Sequence, residues 1–260
     1  MGNSTPPIVL VFAGNDPTGG AGLGADIQTL AALGCHAAPI VTCVTVQNSH
    51  NVLHNTALPA HQVQAQAQAI LAEMSLAAVK IGLLGSVEII EAIQHLLAAY
   101  PQLPLILDPI LAAGGGCPLA HAAIEEAMIQ HLLPLTDLMT PNCQEALQLT
   151  GASTVAAAAM QLMQWGCQFV CITGTEAQTP EVVHHLYGHQ QQLYTWQWPR
   201  LPHCYHGSGC TFAASTAAFV ARGQSIERAV EAAQSYTWRC LQTGYQPGTG
   251  QWFPNRLNME

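Results

Sequence analysis

The segment His206 to Cys210, which reads His-Gly-Ser-Gly-Cys, places a glycine-rich turn directly before an apolar stretch that is typical of a helix. The first backbone N–H groups of a helix have no acceptor within it and lie at the positive end of the helix dipole. Such a turn favours the binding of an anion, and above all of a phosphate. The same field would favour the thiolate form of Cys210. The segment therefore predicts phosphate chemistry. A helix start that needs small residues only for packing would have the same sequence pattern.

Two acidic residues at the ends of predicted elements could hold Mg²⁺ beside a bound phosphate. Asp108 ends an apolar strand, and Glu145 lies three residues after Asn142. Mg²⁺ in proteins is usually held by one or two carboxylates together with water and phosphate oxygens. Glu145 could instead complement a helix dipole, with Asn142 as the N-cap. Both interpretations stay open at this point, and the glycine run 114–116 likewise predicts either a mobile flap or a plain connection.

A second glycine-rich loop, from Gly14 to Gly22, lies between a predicted strand and a predicted helix. Dinucleotide-binding loops need the spacing Gly-x-Gly-x-x-Gly and an acidic residue about 20 positions further on. This loop lacks that spacing, and the second strand is followed by Gln47 and Asn48 rather than by a carboxylate. The loop Gly-x-x-x-x-Gly-Lys-Ser/Thr is also absent, since Lys80, the single lysine, lies elsewhere. A dinucleotide site is therefore disfavoured, and a Walker-type nucleoside triphosphatase is excluded.

The elements that must position these residues alternate between strands and helices. The predicted strands are 8–13, 37–46, 76–81, 103–107, 135–140 and 169–173, with a β-hairpin at 181–196. The predicted helices are 19–33, 61–74, 86–100, 119–132, 143–149, 153–165, 209–221 and 225–243. This alternation predicts one α/β domain, residues 1–260, with a mostly parallel sheet covered by helices on both faces. Ligands of such sheets bind beyond the carboxyl ends of the strands, where the residues above lie.

Composition excludes several classes of function. Only 8% of the 260 residues are charged, and the net charge of −9 leaves no basic face for nucleic acid. The cysteine count of nine is odd and no Cys-x-x-Cys pair occurs, which favours reduced thiols and a cytoplasmic location. The start of the chain lacks the charged region of a signal peptide. The uncharged stretch 151–174 is interrupted by glutamines, so a helix and a buried strand are predicted there, with no membrane partner.

Six blocks, in order along the chain, resemble the hydroxymethylpyrimidine/phosphomethylpyrimidine kinase family of the ribokinase-like superfamily. The similarity runs from about residue 8 to residue 222, and an ordered set is far more specific than any one block. The blocks are Ala13-Gly14-x-Asp16-Pro17-x-Gly19-Gly20-Ala21-Gly22-x-x-Ala25-Asp26, Thr42-x-x-Thr45-x-Gln47-Asn48, Lys80-Ile81-Gly82-Leu83-Leu84, Leu107-Asp108-Pro109, Thr140-Pro141-Asn142-x-x-Glu145-Ala146 and His206-Gly207-Ser208-Gly209-Cys210-Thr211. The resemblance implies a ribokinase-like three-layer α/β sandwich.

The resemblance also implies a role for each matching position. The residues expected to bind the pyrimidine are Gly14, Asp26, Thr45, Gln47 and Leu83. The residues expected near ATP are Asp108, Asn142, Glu145 and Thr173, with Asp108 and Glu145 as the Mg²⁺ ligands. The residues expected to form the catalytic anion hole are Gly207, Ser208 and Gly209, and Cys210 occupies the family's catalytic position.

The function implied by the resemblance is ATP- and Mg²⁺-dependent phosphorylation of 4-amino-5-hydroxymethyl-2-methylpyrimidine and its monophosphate in thiamine biosynthesis, by a homodimer. One alternative is a pyridoxine or pyridoxal kinase. A second alternative is a catalytically impaired pyrimidine-binding protein, because Thr173 stands where many relatives have a phosphate-binding lysine. The loop after Asp108 departs from the family as well, since it reads Ala112-Ala113 where relatives carry polar residues.

Overall fold

A computed structural model describes residues 5–112, 116, 119–174 and 179–257 of the chain. Its strands are β1 (Ile8–Asn15), β2 (His36–Gln47), β3 (Val52–Ala57), β4 (Leu76–Ile81), β5 (Leu105–Leu107), β6 (Leu138–Met139), β7 (Phe169–Thr173), β8 (Glu181–Gly188) and β9 (Gln191–Pro199). Its α-helices are α1 (Gly22–Ala32), α2 (Ala60–Leu71), α3 (Val87–Leu97), α4 (Ala122–Ala127), α5 (Cys143–Thr150), α6 (Val155–Gln164), α7 (Ser208–Ala221) and α8 (Ile226–Gln242).

The strands form one sheet in the order β3-β2-β1-β4-β5-β6-β7-β8-β9. The strands from β2 to β7 in this order pair in parallel, whereas β3, β8 and β9 pair antiparallel at the two edges. The predicted mostly parallel sheet is therefore confirmed. The carboxyl ends of the parallel strands meet at one edge, and this brings together residues that are far apart in the sequence.

Helices cover both faces of the sheet, because the side chains of each parallel strand alternate between two apolar cores. In β1, Leu10 and Phe12 pack in one core, and Val9 and Val11 pack in the other. The first core includes residues of α2 to α6, and the second includes residues of α1, α7 and α8. The three-layer α/β architecture expected from the sequence is confirmed.

Several predicted elements differ from the observed ones. Strand β3 was not predicted from the sequence. It lies at the edge of the sheet, pairs only with β2 and contains polar residues, so it lacks the apolar run by which a buried strand is recognised. The helix predicted at 119–132 is shorter, because α4 passes into a π-helical turn (Met128–Leu132) and then a 3₁₀ turn (Leu133–Leu135). Pro134 has no N–H to continue the helix. The glycine run 114–116 lies mostly outside the described residues.

The uncharged stretch 151–174 forms α6 and β7, as predicted; α6 packs in the first core, and β7 contributes side chains to both cores. Among the described residues, no helix combines the length and the apolar character that crossing a membrane requires. The β8–β9 hairpin is also confirmed, and His189 and Gln190 turn it with φ of 52° and 61°.

Candidate active site

A cavity of about 520 Å³ opens at the carboxyl edge of the parallel strands, and this volume suits a small-molecule ligand. Every site residue predicted from the sequence lines it except Asp26. The lining members of that set are Gly14, Thr45, Gln47, Leu83, Asp108, Asn142, Glu145, Thr173, Gly207, Ser208, Gly209 and Cys210. Their placement in one cavity leaves their individual chemical roles as predictions.

Asp26 is not among the residues that line the cavity, and its predicted contact with the pyrimidine stays a prediction. Its side chain is fully buried, and Oδ2 lies 3.0 Å from Nζ of Lys80, which is fully buried as well. Asp26 lies in the second turn of α1, on the face that packs against the sheet, and Lys80 rises from β4 to meet it. An unpaired charge at this depth would be very unfavourable, so the two residues form a structural ion pair beneath the site.

The carboxylate of Asp16, in the glycine loop, does line the cavity. It accepts hydrogen bonds from the backbone N–H groups of Thr18 and Ala21, each at 2.8 Å, and from the Thr18 hydroxyl. His206 Nε2 lies 2.8 Å from its Oδ2. Burial would raise the pKa of Asp16, but the hydrogen bonds from His206 and Thr18 outweigh it and lower the pKa to about 2. Asp16 thus holds the glycine loop in shape and ties it to the turn before α7.

His206 also contacts Gln47, another residue of the cavity lining. Nε2 of His206 lies 3.3 Å from Nε2 of Gln47, and two donors that face each other indicate that the amide is reversed. His206 Nε2 must carry a proton to bind the Asp16 carboxylate, so the amide atom beside it should be the Gln47 oxygen. The amide nitrogen then remains available as a donor. Gly14 completes this end, because a Cβ atom there would lie 2.7 Å from the Cys43 sulfur.

Replacing Asp16 with asparagine should remove a pH-dependent part of the stability. The folded pKa of about 2 lies below the ordinary value of 3.8, so the stabilisation is complete above pH 4 and is lost as the pH falls towards 2. The shift corresponds to about 2 kcal/mol. Urea unfolding at a series of pH values should show a shallower acid loss for Asp16→Asn than for the unaltered protein. Parallel curves for the two proteins would contradict this expectation.

The turn before α7 has the geometry of an anion hole. Gly207 adopts the left-handed conformation with φ of 78° and precedes Ser208, the first residue of the helix. Its carbonyl accepts from the backbone N–H of Thr211 at 2.9 Å and from the Thr211 hydroxyl at 2.7 Å. The amides of Ser208 and Gly209 belong to the first turn, which has no acceptor within the helix. These residues line the cavity, so the hole faces the ligand space.

The thiol of Cys210 is protonated rather than ionised, contrary to the expectation from the helix dipole. Burial raises its pKa to about 12, and the neighbouring charge of Lys80 offsets only part of this increase. Asp108 and Asp26 also lie close enough to disfavour a thiolate. Cys210 therefore offers an S–H group and a weakly polar sulfur to the cavity.

Asp108 has the properties expected of a magnesium ligand. Its Oδ2 is buried and has no hydrogen-bond partner among the described residues. Burial raises the pKa of Asp108 to about 6, against the opposing effects of Lys80 and Cys210. No group of three metal-binding side chains occurs in the described part of the chain. Mg²⁺ does not need such a group when phosphate oxygens and water complete its shell, so Asp108 fits the ion.

Glu145 fits both interpretations that the sequence left open, because it caps a helix and also lines the cavity. Its Oε2 accepts from the Asn142 N–H at 2.9 Å, and the Asn142 side chain accepts from the Glu145 N–H at 2.8 Å. This capping box begins α5 and confirms Asn142 as the N-cap. Glu145 nevertheless lines the cavity, and a carboxylate has further lone pairs for a water or a metal ion.

The other end of the cavity is aromatic and contains polar atoms that need partners. Trp198 stacks on Trp238 with ring centroids 5.9 Å apart, and its Nε1 donates to Gln234 Oε1 at 3.0 Å. Both ring nitrogens of His184, the amide nitrogen of Gln234 and the hydroxyl of Thr237 are buried without a hydrogen-bond partner among the described residues. Such atoms favour a planar, polar ligand.

The cations near the cavity were missed from the sequence. Arg200 lies on the cavity wall, and its Nε donates to the Thr179 carbonyl at 2.6 Å. Lys80 and Arg256 are buried beneath the cavity. The scarcity of basic residues in the sequence therefore does not mean that the site lacks positive charge. Lys80 belongs to one of the six blocks named above, whereas no sequence pattern marks Arg200 or Arg256, because these two reach the site through tertiary contacts.

Comparison with known proteins gives a consistent result. Residues 16–255 match the family model described as phosphomethylpyrimidine kinase. The hydroxymethylpyrimidine/phosphomethylpyrimidine kinase of Streptomyces coelicolor is 36% identical over 259 residues, which cover 95% of this chain and 93% of that protein. The pyridoxal kinase of Staphylococcus aureus in complex with AMP-PCP and pyridoxal superimposes with a TM-score of 0.89 at 27% identity, over 98% of this chain and 95% of that one. A phosphomethylpyrimidine kinase structure from Clostridium difficile gives 0.79 at 29% identity, over 90% and 99%.

Proposed function

Since the chain belongs to the phosphomethylpyrimidine kinase family, we propose that it transfers the γ-phosphoryl group of ATP to 4-amino-5-hydroxymethyl-2-methylpyrimidine and then to its monophosphate, in thiamine biosynthesis. The observation that carries this proposal is the direct contact between the glycine loop, Gly14 to Gly22, and the anion hole at the start of α7. A Cβ atom on Gly20 would meet the His206 ring, and one on Gly207 would meet the Gly20 carbonyl. Acceptor and phosphoryl group are thereby brought together in one cavity.

The pyrimidine ring would lie between Gly14 and Leu83 at the end of β1. Gln47 can donate from its amide nitrogen to a ring nitrogen, while His206 holds the amide in place. In this arrangement the hydroxymethyl group would point towards Cys210, at the start of α7. The protonated thiol would orient the acceptor oxygen rather than remove its proton as a thiolate, which revises the role expected from the sequence.

The transferred group would lie over the first turn of α7. The acceptor oxygen attacks phosphorus and the bond from phosphorus to the bridging oxygen of ADP breaks, and in the first transfer the hydroxyl proton passes to solvent. The amides of Ser208 and Gly209 point at the developing negative charge, and such preorganised donors provide much of the rate enhancement in phosphoryl transfer. Mg²⁺, when bound, neutralises phosphate charge and aligns the reacting oxygens. Asp108 would hold it directly, and Glu145 would hold it through water.

The aromatic end of the cavity would bind the nucleotide. Trp198 and Trp238 provide apolar surface, and the unpartnered atoms of His184, Gln234 and Thr237 offer donors and acceptors to a base. Arg200, at the rim, provides a positive charge for the phosphates in the absence of a lysine at Thr173. ATP as the donor is supported by the AMP-PCP complex of the similar pyridoxal kinase.

The proposal is tested by incubating the purified protein with ATP, Mg²⁺ and hydroxymethylpyrimidine. The expected result is stepwise formation of the monophosphate and the diphosphate, followed by chromatography and mass spectrometry. A wild-type protein that forms neither product, although it binds the pyrimidine, would overturn the assignment and favour a binding protein. Omission of Mg²⁺ serves as the control for metal dependence.

Pyridoxal is a second candidate acceptor, because the pyridoxal kinase structure has the higher TM-score of the two kinase structures compared above. Pyridoxal also carries a hydroxymethyl group on a six-membered nitrogen heterocycle. The discriminating measurement is the ratio of kcat/KM for the two acceptors. A ratio above one for hydroxymethylpyrimidine is expected, since Gln47 suits an aminopyrimidine edge, and a ratio below one would reverse the assignment.

Replacing Asp108 with asparagine is expected to weaken the response to Mg²⁺. The neutral amide has the same shape but lacks the charge that a hard cation requires. We expect the Mg²⁺ concentration at half-maximal rate to rise about tenfold and kcat to fall about tenfold to a hundredfold. Initial rates over a Mg²⁺ titration at fixed ATP measure both effects. Unchanged Mg²⁺ dependence would remove Asp108 from the metal site.

A homodimer and a cytoplasmic location form part of the proposal. Exposed apolar side chains lie on the β2–β3 ribbon at one edge of the sheet, where Val46 is 57% and Leu53 is 69% exposed. Such a patch favours contact with a second copy. Sedimentation should give a dimer, and Leu53→Lys should shift it towards the monomer. Each cysteine among the described residues is a free thiol, which suits a reducing compartment.

A further inference from the structure

Arg256 is a buried cation near the end of the chain whose partners are uncharged oxygens. It is 2% exposed, and its Nε donates to the Thr211 hydroxyl at 2.9 Å. Its Nη1 donates to Gln28 Oε1 at 3.2 Å, and its Nη2 donates to the Gly20 carbonyl at 2.5 Å. No carboxylate lies within ion-pair distance of it among the described residues. The charge of Asp26 acts on it only from beyond ion-pair distance, and a buried guanidinium held by uncharged oxygens is unfavourable, so its presence here calls for a reason.

One nitrogen of Arg256 reaches both loops of the proposed active site. Besides the Gly20 carbonyl, Nη2 lies 3.5 Å from the Gly207 carbonyl. In a planar trans peptide, the C=O and the following N–H point in opposite directions. The N–H and hydroxyl of Thr211 already bind the Gly207 carbonyl, and Arg256 adds a charged donor on the same side, which favours the orientation with the Ser208 N–H pointing away from Arg256. Donation to the Gly207 carbonyl also polarises this peptide and strengthens the Ser208 donor.

The same reasoning applies to the glycine loop. The Gly20 carbonyl faces Arg256, and the N–H of the same peptide, from Ala21, donates to Asp16 Oδ2 at 2.8 Å. Asp16 in turn binds His206, which precedes Gly207. Arg256 thus closes a ring of contacts that joins the two loops.

The C-terminal segment brings Arg256 to this position through backbone contacts. The His206 N–H donates to the Trp252 carbonyl at 2.8 Å, and the Trp252 N–H donates to the Cys204 carbonyl at 2.9 Å. The Tyr236 hydroxyl donates to the Arg256 carbonyl at 2.8 Å. The main chain on both sides of Arg256 is therefore fixed independently of the guanidinium, and changing that side chain leaves these contacts in place.

We propose that Arg256 is a positioning residue for phosphoryl transfer, which fixes the Ser208 amide and the glycine loop together. This role rests on the proposed kinase function. Because it acts on an amide that stabilises the transition state, it should affect kcat more than KM.

The test compares Arg256→Ala, Arg256→Lys and a control, Arg222→Ala. Arg222 also donates to a backbone carbonyl, that of Leu33 at 3.2 Å, but lies outside the cavity lining. We expect kcat to fall about a hundredfold in Arg256→Ala, with KM for ATP changed less than threefold. Arg256→Lys should recover part of the rate, as should guanidinium ions added to Arg256→Ala. The Arg222→Ala control should keep the wild-type kcat.

Hydrogen exchange provides a measurement that does not require kinase activity. Faster exchange is expected in peptides covering 18–22 and 205–211 of the Arg256 variants, and not in Arg222→Ala. If the wild-type protein proves inactive, the kinase function fails, while this exchange pattern still decides whether Arg256 joins the loops. Wild-type kcat in Arg256→Ala, or unchanged exchange in both segments, would overturn the proposal. Should Arg256→Ala fail to fold, Arg256→Lys alone carries both measurements, with a fall in kcat of about tenfold expected.

Discussion

Replacing Gly207 with alanine is expected to lower kcat about a thousandfold. The φ of 78° is unfavourable for any residue with a side chain, and the added Cβ atom would overlap the Gly20 carbonyl oxygen. It would also lie 2.8 Å from Nη2 of Arg256. The turn must move to relieve these contacts, and the N–H groups of Ser208 and Gly209 then no longer point at the position proposed for the transferred phosphoryl group. Removing one such donor typically reduces kcat by 10²–10³, and this change displaces more than one.

Gly34 provides a matched control for the strain alone. It has φ of 74°, and a Cβ atom there would meet nothing within 4 Å. Gly34→Ala should therefore lose about 1 kcal/mol of stability from the left-handed backbone and keep its full kcat. Steady-state rates and thermal unfolding of both variants separate the two effects. A Gly207→Ala protein with at least a tenth of the wild-type kcat would contradict the anion-hole assignment.

Replacing Lys80 with methionine is expected to destabilise the protein by about 3–5 kcal/mol. The loss leaves Asp26 as an uncompensated charge, fully buried between α1 and the sheet. Burial already raises the pKa of Asp26, and Lys80 is its main source of compensation. For a chain of this size, such a loss should lower Tm by about 10 °C. Urea or thermal unfolding at pH 7 measures it.

The double variant Asp26→Leu with Lys80→Met separates stability from activity. Replacing both charges by apolar residues of similar size should restore most of the stability. Activity should stay below that of the unaltered protein, because Lys80 lowers the pKa of Asp108, which burial raises to about 6, more than Asp26 raises it, and the double variant removes both charges. Without Lys80, more of Asp108 is protonated at neutral pH and less is available for Mg²⁺. A double variant as unstable as Lys80→Met, or one with full activity, would contradict this account.

The sequence by itself determined the architecture and the location of the site. Apolar runs of β-strand length between helical patterns predicted the parallel sheet, since these periodicities are local and record which faces are buried. The predicted residues that follow strands, such as Gly14, Asp108 and Thr173, line one cavity as expected. The glycine-rich turn predicted before an apolar helix is observed, and within it Gly207 has a left-handed conformation.

Only the tertiary structure decided which charged groups face the ligand and in what state. Asp26 and Asp16 both lie near the glycine loop, and only the fold shows that Asp26 pairs with Lys80 while Asp16 binds His206. The thiol of Cys210 is neutral because burial outweighs the field of a helix start. Burial and the pairing of charges depend on contacts between distant residues. Arg256 reaches the Gly20 carbonyl across 236 positions, and no local pattern records such a contact.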